Sequence, residues 1–252
     1  MYKILSDTLF LGKSIVYVPE CHSTSTLLLD LTQKSNLGEG TLVLTDNQRN
    51  GRGQRGSAWE AEPGKNLTFS FLLKPSFVAV AEQFRLTMVI SLGVADYLIQ
   101  RISGETKIKW PNDLLVDGKK IGGILIENTL AGSQLQQSVV GIGLNVNQII
   151  FSIDSATSMQ LVADHEFDLN HELNLLLERL EKRYLQLRAG RYNEIRDEYL
   201  RLLYWKGEEH LFSANREHWL GVIEGVDEIG KLKVSSKGEI RSFGLKEIQF
   251  LR

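Results

Sequence analysis

The apolar positions of this chain change period several times, and each change marks an element. Ile15-Val-Tyr-Val18 is an apolar run that predicts a first strand, stopping at Pro19. Hydroxyl residues Ser23-Thr-Ser-Thr26 precede Leu27-Leu-Leu-Asp-Leu31, the pattern of a helix N-terminus. Gly38 and Gly40 close that unit, and 41–45 reads as a strand. Residues 67–73 alternate as a half-buried strand does. Over 80–101, Phe84, Met88, Leu92, Ala95 and Ile99 recur every three or four positions, one face of a helix. Thr106–Trp110 alternates up to Pro111, where a strand should end. Leu114-Leu-Val116 and Lys120-Ile121 flank Asp117-Gly118, a hairpin signal. The second arm continues to Glu127, and Ser138–Leu144 follows a turn at 131–133. Three consecutive strands on short turns predict an antiparallel meander that the earlier strands join.

The second half opens with a helix over 169–188, its apolar face made of Leu173, Leu176, Leu177, Leu180, Tyr184 and Leu187. Gly190 breaks it, and Tyr192, Ile195, Tyr199 and Leu202 define another helix, giving an αα-hairpin. From Tyr204 the texture changes to five short β runs, 209–212, 219–223, 231–234, 240–243 and 248–251. That density of strands predicts a small barrel, and divides the chain into domains 1–203 and 204–252.

Charge narrows the partners. The net charge of −2, from 29 basic and 31 acidic residues, argues against whole-surface affinity for nucleic acid or anionic membrane. Any basic function must be local. The single cysteine, Cys21, permits no intramolecular disulfide, and a reducing cytoplasm is the expected setting. The N-terminus lacks a signal-peptide pattern, and no run of about 18 apolar residues predicts a membrane span. The five histidines show no metal-ligand spacing with one another or with Cys21, so no metal ligands are identified.

The local basic feature lies between Thr45 and Leu73, where Arg49, Arg52 and Arg55 interleave with Gly51, Gly53 and Gly56. Such a segment cannot pack a core, but it can wrap an anion. Glycine lets the backbone approach closely, and guanidinium groups grip carboxylate or phosphate oxygens in pairs. Gly51–Gly56 matches G-x-G-x-x-G, yet a dinucleotide site needs a helix directly afterwards. Ser57–Gly64 contains a proline and offers none. No Gly-Lys-Ser/Thr ends the loop, and no kinase signature follows. A plain surface loop is the alternative. Lys107–Asp113 alone would read as a strand end with an Asx turn. Followed by Lys120-Ile-Gly-Gly123, it acquires a lysine beside two strand glycines, which often mark a close ligand approach. Gly141-Ile-Gly-Leu-Asn145 adds another glycine pair ending in an amide. Ser23–Thr26 reads either as a helix cap or as donors to a polar ligand head.

The succession GRGQRG with Trp59, then KWPNDLLVDGKKIGGILIE, then GIGLNVN, resembles that of the biotin–protein ligases, most specifically over residues 15–150. The resemblance implies an α+β fold: a central mixed, largely antiparallel sheet with flanking helices, class II synthetase-like, and a small C-terminal Src-homology-3-like β-barrel. It implies that ATP, with Mg2+, activates biotin to biotinyl-5'-AMP, and that a lysine of a biotin carboxyl carrier domain then takes the biotinyl group.

On this resemblance Ser23, Thr24, Ser25 and Gln48 bind the biotin head, and Arg52, Gly53 and Gln54 close over it. Gly122 and Gly123 floor the pocket. Arg52, Arg55 and Lys120 surround the carboxylate and α-phosphate as the catalytic cations. Trp59 orders the loop over the adenylate, and Asn112 and Asn145 approach the adenine. The family often carries basic residues where this chain has Gln54 and Ser57, which implies looser retention of the adenylate here. A first strand near residue 15 leaves no room for a DNA-binding module, so DNA is not an expected partner. A sheet edge could support a homodimer or carrier docking. The loop is expected to be mobile when empty and to close on its anions. A lipoate–protein ligase is the nearest alternative, and an Arg-Gly nucleic-acid-binding protein a more distant one.

Overall fold

The computed structural model describes residues 6–251, with the side chain of Arg55 outside the description. The chain enters through β1 (Ile15–Cys21), α1 (Thr24–Lys34) and β2 (Leu42–Gln48). A short ribbon, β3 (Gly51–Arg52) and β4 (Ala58–Trp59), precedes β5 (Leu67–Leu73). After α2 (Phe84–Arg101) come β6 (Thr106–Lys109), β7 (Asp113–Val116), β8 (Lys119–Ala131) and β9 (Gln134–Leu144). Next are α3 (Met159–Ala163), α4 (Leu169–Arg188) and α5 (Tyr192–Leu202). The last segment holds β10 (Glu209–Ala214), β11 (Glu217–Val226), β12 (Leu232–Ser236), β13 (Glu239–Phe243) and β14 (Gln249–Phe250).

Seven strands form one sheet in the order β1-β2-β5-β9-β8-β7-β6. Only β1 and β2 run parallel; the remaining pairs are antiparallel, and β6 to β9 make the expected meander. Asp117 and Gly118 both take positive φ, 49° and 73°, as a two-residue hairpin turn of the primed type requires.

Strand alternation gives this sheet two unlike faces. Leu67, Phe69, Phe71, Val140, Ile142 and Leu144 point into the main core with α2, α4 and α5. On the other face Leu72 and Val139 pack with Leu28 of α1 and Val43. α1 is short and covers only part of that face.

Three expectations change. β1 runs through Pro19 to Cys21, because it is an edge strand whose register steps from Val18–Thr45 to Glu20–Asn47, so no ladder bond is asked of Pro19. The second helix starts at Phe84, after a 3-10 turn at Val80–Glu82. It is buried on more than one stripe, because the sheet covers one side and α4 and α5 another; Ile99, expected on the apolar face, is exposed. The C-terminal strands form an antiparallel sheet in the order β13-β12-β11-β10-β14. Among the described residues its end strands do not pair, so it is open and not a closed barrel. β14 is too short to close it, contributing only Phe212–Phe250 and Ser213–Gln249 to the ladder. The two sheets share one continuous core, and the Trp110 indole donates to the Gly230 carbonyl at 2.8 Å across the join. Among the described residues no helix is long and apolar enough to cross a membrane.

Candidate active site

The sheet face that α1 leaves uncovered carries small residues. Thr68 and Ser70 of β5, Gly141 and Gly143 of β9 and Gly123 of β8 alternate with the core residues just named. A cavity of about 250 Å3 opens above them. The glycines are necessary for it. A Cβ on Gly143 would lie 2.2 Å from the Trp59 ring, and one on Gly141 would lie 2.4 Å from Ser25 Oγ.

The polar end of the cavity is built by the start of α1. Ser23 is the N-cap residue, but its side chain caps nothing. The hydroxyls behind it form a chain instead. Thr24 Oγ1 lies 2.7 Å from Ser70 Oγ, and Ser25 Oγ lies 2.9 Å from the same atom. Gln48, at the end of β2, accepts from the Thr24 amide at 2.8 Å and from Thr24 Oγ1 at 3.1 Å. Ser23, Thr24, Ser25 and Gln48 thus line the cavity together. Ser70 completes this network; its alternation with the core residues Phe69 and Phe71 was the signal for it.

The arginine-glycine loop forms the wall opposite. β3 and β4 pair as a ribbon, Gly51 with Trp59 and Arg52 with Ala58. A Cβ on Gly51 would meet the Trp59 carbonyl at 2.2 Å, so the ribbon needs glycine there. Gly53 donates to Ser57 O at 2.7 Å, and Gln54 opens a 3-10 turn held by Ser57 Oγ on its carbonyl. The loop is tied to the sheet by ion pairs that sequence reasoning did not foresee. Arg52 grips Glu127 of β8 with both terminal nitrogens, at 2.6 and 3.1 Å. Arg49 pairs with Glu20 of β1. The bond from Arg49 holds the Glu20 carboxyl below its ordinary value, against a smaller effect of burial, with Asn47 assisting.

Trp59 lies over Gly143 and Gly123, with Lys120 Nζ 5.7 Å from its ring centroid. Its indole Nε1 is buried and has no hydrogen-bond partner in the protein. An unsatisfied donor beside a cavity is a place where a ligand acceptor would be welcome.

Lys120 reaches the cavity through a bulge. In a regular strand, residues 120 and 123 would face opposite ways. The β7–β8 register steps from Leu114–Gly122 to Leu115–Lys120, leaving Ile121 as the extra residue. Ile121 turns into the core, and Lys120 joins Gly123 on the open face. Its Nζ sits 2.7 Å from Asp113 Oδ1. Asp113 was read only as a turn former, although it belongs to the motif that flagged the site. Asn112 lines the cavity, and its amide donates to the Ile124 carbonyl.

Two expected residues lie elsewhere, and one side chain is not described. Gly122 is on the core face, where a Cβ would meet Gly143 O at 3.1 Å and Leu144 at 3.3 Å; beyond the bulge the strand alternates regularly again, so Gly122 and Gly123 face opposite sides. Asn145 lies behind the sheet end, buried, donating to Thr157 O at 3.0 Å, with its Oδ1 unpartnered. Its amide is used to hold the connection that follows β9. The side chain of Arg55 lies outside the described residues. Lys246, from the turn before β14, also lines the cavity, and nothing in its local sequence marked it.

The carboxylates nearest the cavity, Asp113 and Glu127, are both ion-paired, with Lys120 and Arg52. Among the described residues no three His, Cys, Asp or Glu side chains come together as a metal site. The arrangement can hold an uncharged hydrogen-bonding head at the α1 end and an anion at the cationic end.

Residues 17–145 match the model of the biotin/lipoate A/B protein ligase family. The bifunctional ligase/repressor BirA of Bacillus subtilis is 32 % identical over 179 residues, 69 % of this chain and 54 % of that protein. The biotin–[acetyl-CoA-carboxylase] ligase of Paracoccus denitrificans is 30 % identical over 198 residues, 75 % of this chain and 82 % of that one. This chain therefore spans about half the length of the bifunctional relatives and most of the Paracoccus one. The biotin protein ligase of Aquifex aeolicus, solved in complex with biotin and ATP, superposes with a TM-score of 0.78 at 27 % identity, covering 95 % of this chain and 99 % of that one. With the family matched over half its length, and with a relative of 30 % identity covering three quarters of it, the chain belongs to the biotin/lipoate A/B protein ligase family and stands among its biotin–protein ligases.

Proposed function

We propose that this protein activates biotin with ATP, forming biotinyl-5'-AMP and pyrophosphate, and transfers the biotinyl group to a lysine of a biotin carboxyl carrier domain. The observation that carries the reading is the pairing, in one cavity, of a hydroxyl-and-amide wall with a cationic wall over a glycine floor. In this reading Ser23, Thr24, Ser25 and Gln48 hold the ureido head of biotin. Gly123, with Gly141 and Gly143, leaves room for the thiophane ring and the valeryl chain, and Arg52, Gly53 and Gln54 close over them.

The chemistry then follows from charge. A carboxylate and a triphosphate repel each other, and fixed cations must offset that repulsion before the two react. Lys120 and Arg52, with Arg55, are assigned that role. The carboxylate oxygen bonds to the α-phosphorus, and pyrophosphate leaves. In the second half-reaction the carrier lysine amine attacks the acyl carbon, loses a proton, and AMP leaves. No covalent enzyme intermediate is needed. Asp113 and Glu127 keep the two cations aimed while the site is empty, and ligand anions then share them.

Trp59 and Asn112 are assigned to the nucleotide side, with Asn145 acting through the connection it braces. The residues at hand do not make a metal cage, so magnesium enters only as the counter-ion that ATP carries, and no step is assigned to it. We read residues 204–252 as a second, smaller unit, an open five-stranded sheet that packs on the core of the catalytic sheet. A cytoplasmic setting goes with ATP as co-substrate and with a single cysteine.

Incubation with biotin, magnesium-ATP and a biotin carrier domain, followed by intact mass, tests the reading. One biotin should be added to one lysine. No addition would sink it, and addition of lipoate in its place would move the protein to the other branch of the family.

A further inference from the structure

Lys120 is aimed by a bulge, and a bulge leaves backbone groups without ladder partners. β9 cannot supply them, because it ends at Leu144, opposite Gly122. The chain beyond β9 turns back and supplies them instead. Ser155 O accepts from the Lys120 amide at 2.7 Å, and the Thr157 amide donates to Lys120 O at 2.9 Å, a parallel bridge centred on Ala156. Ile121 O, at the extra residue, accepts from the Asn145 amide at 2.8 Å.

One side chain ties these bonds together. Asn145 Nδ2 donates to Thr157 O at 3.0 Å, and Asn145 O accepts from the Met159 amide at 3.1 Å. Asn145 is only 4 % exposed, so water competes little for its amide. Residues 149–155 are mostly exposed and have little burial of their own to hold them. The return of the chain to Lys120 therefore depends on the closure at Asn145.

The bulge has an alternative. Without the extra residue, β8 would alternate regularly back from Gly122, sending Ile121 to the cavity and Lys120 to the core. A looser bulge need not unfold the sheet to matter. Displacing a group by about 1 Å from where it acts can cost on the order of a hundredfold in rate.

We propose that Asn145 is a positioning residue for adenylation: by fixing Ser155 and Thr157 beside Lys120, it holds the bulge that presents the Lys120 amine to the cavity. This rests on the adenylation reading above. Asn145 touches neither reacting atom and acts through Lys120, a task distinct from the approach to adenine that the resemblance implies.

The test pairs kinetics with hydrogen exchange on the full chain. Asn145→Ala should slow biotinyl-adenylate formation roughly ten- to hundredfold, with affinities for biotin and α,β-methylene-ATP within about threefold of wild type. In a Lys120→Ala background the same substitution should cost less than about threefold further, because the two residues act as one unit. Asn147→Ala is the control: Asn147 is comparably buried and braces the same connection through Phe167, not through the bulge. It should lower the thermal midpoint and leave adenylation within about threefold of wild type. Asn145→Ser, whose hydroxyl is too short to reach Thr157 O, supplies the same reading if the alanine variant folds poorly. Additive losses in the double variant overturn the proposal. So does a loss confined to nucleotide affinity that also removes the preference for ATP over inosine triphosphate, which would make Asn145 an adenine contact. Exchange of the Lys120 amide needs no turnover: it should quicken at least about tenfold in Asn145→Ala and hold steady in Asn147→Ala. Unchanged exchange in Asn145→Ala, or equal quickening in both variants, also overturns the proposal. A wild type that forms no biotinyl-adenylate removes the adenylation reading, and the exchange measurement then decides the brace alone.

Discussion

The two faces of the seven-stranded sheet are written by the same strands and serve opposite ends. On one face Phe69, Phe71, Ile142 and Leu144 fill the space under α2. One residue along, Thr68, Gly141 and Gly143 leave space empty. The first face stabilises by apolar burial; the second, beyond the small cluster under α1, holds the cavity to which the proposed function assigns binding. Stability and function are thus separated by one position along a strand, and substitutions should divide by face.

The largest effect belongs to the core face. Phe71→Ala should cost about 3–5 kcal/mol of unfolding free energy, read as a lowered denaturant midpoint, while the folded fraction keeps its biotin affinity. On the open face the pattern reverses. Lys120→Ala and Arg52→Ala should each slow biotinyl-adenylate formation by roughly 10²–10³, with stability within about 1 kcal/mol of wild type. If either variant unfolds instead, the loop and bulge are structural.

A pair of glycine variants sharpens the comparison. Gly143→Ala pushes the Trp59 ring aside and should reduce adenylate formation about tenfold, with a smaller loss of stability, since 1.4 kcal/mol of misplacement suffices. Gly122→Ala, on the core face, should lower the thermal midpoint and leave biotin binding nearly intact. A loss of biotin binding in Gly122→Ala would break the division by face.

The smallest effect concerns the loop's outer tether. Glu20 has its pKa lowered by Arg49, so the tether contributes above the unfolded carboxyl value of 4.5 and is lost as pH falls through the lower folded value. Glu20→Gln should change adenylation less than twofold at pH 7, and its small difference in stability from wild type should vanish in acid below that range.

Much of this was legible in the residues. The hairpin at Asp117-Gly118, the helices over 169–188 and 192–202, and the meander follow from periodicity and turn chemistry, which act within a few residues. The hydroxyls at 23–25 were ambiguous between cap and ligand donors. Ser23 makes no side-chain cap bond to α1, and Thr24 and Ser25 bond instead to the strand residue Ser70, 45 positions on from Ser25. Gly122 and Gly123 looked equivalent in the sequence because both are small and adjacent, yet the pleat sends them to opposite sides.

The sequence by itself determined which segments become strands and helices, and which loop carries cations, because backbone preference and side-chain charge are local properties. Only the tertiary structure decided what those elements face. The bulge at Ile121 that brings Lys120 to the open face exists because β8 pairs with β7 in a particular register. Glu127 meets Arg52 across 75 residues because β8 passes under the ribbon, and Lys246 joins the cavity because the C-terminal sheet docks beside Trp110. Strand pairing and docking are long-range contacts, fixed by burial summed over the whole core, and no window of the chain contains them.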